Sequence, residues 1–232
     1  MSQLNLHKTK KLHYGKYLYK LKLYNELASI FRTELQRNGK LSYAKTKLTE
    51  YAEVVKNNQV LYKNIWNTTK KIRKEHFFDA NEIYKILKTS KEHLIRCETN
   101  TLIVYSNNST MMRKLVDKTS ASYPELWEPD PSQEKYLLEN KNVIIVEKEP
   151  DFPYKVSFGR KQGKPELAKW LNSNTDKARA GIVLLENLKN SGWIQGQYIH
   201  VRDEKTILLI QMIVGDNISR IDKLVYKDDL DK

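Results

Sequence analysis

Leu102-Ile103-Val104-Tyr105-Ser106-Asn107-Asn108-Ser109-Thr110-Met111-Met112-Arg113-Lys114-Leu115-Val116 lines up without a gap against Ile199-His200-Val201-Arg202-Asp203-Glu204-Lys205-Thr206-Ile207-Leu208-Leu209-Ile210-Gln211-Met212-Ile213, at an offset of 97 residues. Each stretch reads as a short strand, a polar turn and an apolar helix. Ser106 or Ser109 is placed to cap the first helix and Asp203 the second. Met112, Leu115 and Val116 share a helix face at i, i+3, i+4. The second helix is apolar nearly all round, which points to burial or to a strand in helical disguise. A strand, turn and helix written twice makes the chain two copies of one unit.

A second match lies upstream of each. Tyr17–Leu23 resembles Phe152–Phe158 at an offset of 135, and both read as strands with aromatic starts. The two offsets differ by 38 residues, so the first copy carries an insertion of about that size. The extra material, near 39–90, reads as helical. Leu61, Ile65, Thr68 and Ile72 are spaced for one helix face, and Asp79 with Glu82 forms a capping box ahead of Ile83, Ile86 and Leu87. In the second copy Pro165 opens a helix with Leu167, Trp170 and Leu171 inward. Asp176 opens another helix carrying Leu184, Leu185 and Leu188, with Gly192 as its stop. A strand Tyr198–Arg202, a helix ended by Gly215 and a strand near Arg220–Tyr226 complete it. The expected fold is α+β, with two related ferredoxin-like α/β sandwich units, the first enlarged by a basic helical insertion. The expected boundaries are 1–125, a linker at 126–142 holding Pro129 and Pro131, and 143–232.

Charge separates the two copies. The first 95 residues hold 20 Lys and Arg against 8 Asp and Glu, whereas the remaining 137 hold 21 against 20. A surplus confined to one portion suggests a surface that meets a polyanion beside a nearly neutral portion with another task. The run His7–Lys22 interleaves cations with aromatics, and its Lys8, Lys10, Lys11, Tyr14, Lys16, Tyr17, Lys20 and Lys22 are the first candidate contacts. Cations neutralise phosphates and flat rings stack on unpaired bases. The second candidates are Lys63, Trp66, Lys70, Lys71, Arg73 and Lys74, where the helical reading puts Trp66, Lys70 and Arg73 on one ridge.

Other chemistries find little support. The five histidines and the single Cys97 show no metal-ligand spacing, and no glycine-rich phosphate loop is present. Cys97 reads as a small, half-buried residue. Asp203-Glu204-Lys205 after a strand, with Asp151 upstream, admits a metal-dependent nuclease, but helix capping is the plainer task for Asp203. The pattern of RNA-recognition sheets is not met, since Gly196–Arg202 holds one aromatic. No cofactor is expected. No run reaches the roughly 20 apolar residues of a membrane span, and an intracellular setting, cytoplasmic or with the genome, is expected over secretion.

The expected function is therefore non-catalytic binding of nucleic acid, with single-stranded DNA or RNA favoured because aromatics accompany the cations. The alternative is a structural or assembly protein, viral in type, that meets a genome. A nuclease comes third. The neutral C-terminal unit is expected to hold a protein partner or a second copy.

Overall fold

The computed structural model describes residues 4–32, 41–65, 68–119 and 123–230. The chain is α+β and divides into two units, Met1–Thr9 with His13–Glu134 and Lys10–Leu12 with Lys135–Lys232.

The first unit carries β1 (Asn5–Lys8), β2 (Tyr19–Tyr24), a 3-10 turn at Ala28–Phe31, α1 (Ser42–Lys56), β3 (Leu61–Ile65), β4 (Thr68–Ile72), α2 (Lys74–Thr89), β5 (His93–Glu98), β6 (Thr101–Ser106), α3 (Ser109–Lys118) and β7 (Glu125–Glu128). Five strands form one sheet in the order β1-β7-β2-β6-β5. Alternation sets its faces. Leu21, Leu23, Leu102, Val104 and Leu126 are fully buried on the side of α2 and α3, whose inward residues include Ile83, Leu87, Met112 and Leu115. Burying a side chain of this size stabilises by about 1.5–3 kcal/mol, so this layer outweighs any surface interaction in the unit.

The helix expected over Leu61–Ile72 is instead the hairpin β3–β4. Leu61 faces Ile72, Lys63 faces Lys70 and Asn64 faces Thr69 across its register. Apolar residues at 61, 65 and 72 fit a helical stripe, but the β-branched Thr68 and Thr69 favour a strand. Leu61 and Ile72, both buried at the open end, fix the register. Lys63, Lys70 and the rest therefore form no helical ridge. Helix α2 starts at Lys74, which leaves Asp79 buried in its interior rather than at its cap. The first cap on α3 is Asn108, not Ser106 or Ser109, and its carboxamide accepts the Met111 N–H at 2.8 Å.

The stretch 126–142 carries most of β7, a 3-10 turn at Pro131–Gln133 and α4 (Glu134–Glu139). The second unit follows with β8 (Val143–Val146), β9 (Tyr154–Phe158), α5 (Pro165–Ser173), β10 (Ala178–Ala180), α6 (Ile182–Lys189), β11 (Tyr198–Val201), α7 (Glu204–Val214) and β12 (Ile218–Tyr226). The helix expected from Asp176 is the short strand β10 followed by α6, which ends at Lys189, before Gly192. Pro165 does open α5, and Asp203 does cap α7 by accepting the Thr206 N–H at 2.7 Å. Gly215 ends α7 with φ at +66°, a conformation that glycine adopts without a Cβ penalty. α7 buries Thr206, Ile207, Ile210 and Val214, but it leaves Leu208, Leu209 and Met212 exposed, so it is not buried all round.

The second sheet runs β10-β11-β9-β12-β8. Read from its other end, it has the pairing pattern of the first. An edge strand runs parallel to its neighbour (β1 on β7, β8 on β12) and every other pairing is antiparallel. Leu21 pairs with Val104 and Leu126, and Val156 pairs with Ile199 and Ile221. Leu21 and Val156 stand 135 apart, as the sequence match has it. The strand–helix segments, however, correspond at 95 rather than 97, the separation of Val104 from Ile199 and of the caps Asn108 and Asp203. A slip of two keeps every strand residue on its face, so the apolar pattern cannot detect it. At the β8 edge, the Lys10 carbonyl accepts the Ile145 N–H at 2.8 Å.

Candidate functional site

The candidate site is the face of the first sheet opposite α2 and α3. β2 supplies Lys20 and Lys22, β6 supplies Ile103 and Tyr105, β7 supplies Glu125 and Trp127, β1 supplies His7, and β5 supplies Leu94 and Arg96. His7 and Trp127 are register partners on parallel strands, which stacks their rings at 4.4 Å between centroids and 17° between planes. Lys20, the partner of Trp127 on the other side, holds its ammonium 3.9 Å from the indole centroid. A cation over an indole face is attracted by the ring quadrupole. Lys22 pairs with Glu125 at 2.8 Å.

Beyond β6 the chain folds back over this face. His13 bridges to Tyr17 around a turn in which Tyr14 and Gly15 both take positive φ, 53° and 63°. Gly15 makes that turn inexpensive. Tyr17 buries itself against Ile103, Tyr105 and Leu94. It is therefore a core residue, whereas Tyr14 stays 56 % exposed at the tip. Tyr14 meets Tyr105 edge-on at 5.0 Å and accepts a hydrogen bond from Arg96 at 3.1 Å. Burial, then the neighbouring Tyr14, pushes the Tyr105 hydroxyl up to about 12. Lys16 extends over the Tyr17 ring at 5.3 Å.

The remaining basic candidates divide. Lys8 pairs with Asp130 at 3.4 Å, and Lys10, in the second unit, with Glu147 at 3.2 Å. Lys11 also belongs to the second unit. On the hairpin, Lys63 is half-buried and donates to the Glu26 carbonyl at 2.9 Å; burial, then Arg32, lowers its pKa. That makes Lys63 a structural cation. Lys70 and Lys71 are exposed, with Tyr62 opposite Lys71 and 54 % exposed. Arg73 pairs with Glu26 at 3.5 Å, and Lys74 donates to Asn58 at 3.5 Å. Trp66 lies outside the described residues. The face thus gathers Lys20, Lys22, Tyr14 and Lys16 around Tyr105 and Trp127, and the hairpin sets Lys71 opposite Tyr62 with Lys70 on its other face.

Trp127, His7, Tyr105 and Arg96 were not among the sequence candidates. Trp127 fell in a proline-rich stretch read as a linker, and its pairing with Lys20 on one side and His7 on the other brings it to the face. The acids of that stretch pair with residues of the sheet and α3: Glu125 with Lys22, Glu128 with Arg113, Asp130 with Lys8. Exposed pairs of this kind contribute about 0–1 kcal/mol, so a phosphate can displace them.

The nuclease candidates are otherwise engaged. The Asp203 carboxylate caps α7, Glu204 accepts from the Tyr154 hydroxyl at 3.0 Å, and Asp151 pairs with Arg179 at 3.6 Å. Among the described residues no group of three or more His, Cys, Asp or Glu side chains is arranged to hold a metal ion, and no helix is long and apolar enough to cross a membrane. Compared with models of protein families, with curated proteins and with solved structures, the chain matches none.

Proposed function

We propose that this protein binds single-stranded nucleic acid without cleaving it, through the sheet face of its first unit opposite α2 and α3 and through Tyr62, Lys70 and Lys71 of the β3–β4 hairpin. The observation that carries the reading is the triplet His7–Trp127–Lys20, a ring stack with an ammonium over the indole, in which His7 is exposed and Trp127 and Lys20 are half-buried. Base stacking contributes about 1–3 kcal/mol per base and tolerates any sequence, while the neighbouring lysines meet the backbone. Single strands are favoured over duplex because aromatic rings accompany the cations on both surfaces, and unpaired bases can stack on them.

We also read the two units as two copies of one ferredoxin-like fold, each extended by a parallel edge strand, with α1 and the β3–β4 hairpin enlarging the first and α2 standing where α5 stands in the second. The common strand order and the matching caps Asn108 and Asp203 support this. The test of the function is direct titration of labelled single strands and duplexes of the same sequence with full-length protein. Tighter binding of the single strands is expected; equal or weaker binding refutes the reading.

One observation favours the assembly alternative. Leu208, Leu209 and Met212 form an exposed apolar stripe on α7, with Met212 82 % exposed. A protein partner or a second copy docking through the second unit would cover it. Concentration-dependent self-association lost in Met212→Glu would support that reading beside the first.

A further inference from the structure

The second sheet has a polar, half-buried face of its own, and the near-neutral charge of its unit hides what that face holds. Lys155 lies at its centre on β9, between His200 on β11 and Asp222 on β12; Ser157, next along β9, lies between Tyr198 and Arg220. Arg220 Nε donates to Asp222 at 2.5 Å, and the Asp222 side chain is only 3 % exposed. The other end of that guanidinium, Arg220 Nη2, is buried with no hydrogen-bond partner among the described residues. The Lys155 ammonium sits 3.7 Å from the Tyr198 centroid, and the Tyr198 ring is 44 % exposed. Lys11 joins the group. Its ammonium is destabilised by burial first; Asp222 opposes that, and Arg220 and Lys155 add to it.

One buried carboxylate, Asp222, is thus paired with Arg220 and stands across the register from Lys155. An unpaired buried guanidinium N–H and uncompensated charge in a half-desolvated place both raise the free energy of the empty site. An oxyanion would satisfy both at once, because guanidinium and ammonium donors suit phosphate oxygens. The adjacent exposed ring gives a base attached to that phosphate a surface to stack on.

We propose that Lys155 and Arg220 form a phosphate site on the second unit, with Tyr198 beside it to receive a base, so that this face is a second point of contact for the nucleic acid. The source of the phosphate rests on the function proposed above; the anion site itself does not. His200 is the natural reporter. Burial, then the Lys155 charge, lowers its pKa, and a bound anion offsets that charge.

The experiment follows the His200 ring of the full chain by NMR while inorganic phosphate is added at constant ionic strength. The His200 pKa is expected to rise, and the response is expected to vanish in Lys155→Gln and in the paired change Arg220→Gln with Asp222→Asn, which leaves no buried charge unmatched. In parallel, a single strand carrying 5-bromouridine is cross-linked with light and the adducts mapped. An adduct at Tyr198, lost in Lys155→Gln, supports the backbone as source. A phosphate response without that adduct overturns the nucleic-acid assignment of this face and leaves a site for a free phosphate. No response at His200 overturns the anion site. If single strands fail to bind at all while His200 still responds, the function proposed above has failed and the anion site stands.

Discussion

Lys20 and Lys155 occupy the same position in their two sheets. Each lies on the central strand of its sheet, and each lays its ammonium over an aromatic ring, at 3.9 Å on Trp127 and 3.7 Å on Tyr198. Their flanks differ. Lys20 stands between Tyr105 and Trp127, and Lys155 between His200 and Asp222. The first face is therefore built mainly of rings and the second mainly of charge.

Stacking and charge are separable at the first face. Trp127→Ala is expected to weaken single-strand binding by about 1–3 kcal/mol while keeping its dependence on salt. Lys20→Gln combined with Lys70→Gln and Lys71→Gln is expected to make that dependence shallower. Titrations at several salt concentrations read both. If Trp127→Ala binds as the wild type does, the indole is not a stacking platform.

The electrostatic share has its own signature. If about six cations meet phosphates, the log–log slope of affinity against salt is about −4 on single strands. Affinity unchanged between low and physiological salt would falsify the proposed role of the lysines.

The caps give a stability test that bears on catalysis. Asn108→Ala and Asp203→Ala are each expected to cost about 1 kcal/mol in urea unfolding, because each leaves a Met111 or Thr206 N–H without its acceptor. Neither change should alter single-strand affinity. Magnesium- or manganese-dependent cleavage abolished by Asp203→Ala would instead give that carboxylate a catalytic role.

Stability should fall on mild acidification. His76 is fully buried, its Nδ1 accepts the Glu26 N–H at 2.9 Å, and burial, then Arg73, lowers its pKa from 6.5. The unfolded chain protonates near 6.5, before the folded chain does, so it binds more protons as pH drops through that region. The unfolding free energy should therefore decline below about pH 6.5 and stop declining once pH passes the lower folded value. His93 and His200, both lowered by burial, add in the same direction. His76→Gln should flatten the decline, as chemical unfolding at a series of pH values would reveal.

Strand–turn–helix order, the starts of α5 and α7 and the end of α7 were legible in the sequence because Pro165, Asp203 and Gly215 act locally, within one turn. The hairpin was not. Leu61, Ile65 and Ile72 satisfy two periodicities, and only the long-range burial of Leu61 and Ile72 chooses between them. The register of β6 on β2 was equally hidden, since a shift of two changes no face. For the site, the basic and aromatic residues of β2 could be read from alternation, but Trp127 and His7 reach the same face through strand pairing across about 120 residues, which no local pattern records.

The bond from the Ile145 amide to the Lys10 carbonyl has a practical consequence. β8 is the outer strand of its sheet and its sequence is Val143-Ile144-Ile145-Val146, four β-branched apolar residues in succession. Its outward amide is blunted by three residues that come from the other end of the chain. A fragment beginning at residue 135 would keep the strands of the second sheet and lose that cover. Such a bare, apolar border is a template for adding strands from other molecules. Preparations of the C-terminal unit alone should therefore aggregate unless Lys10–Leu12 is grafted back or a charge replaces Ile144.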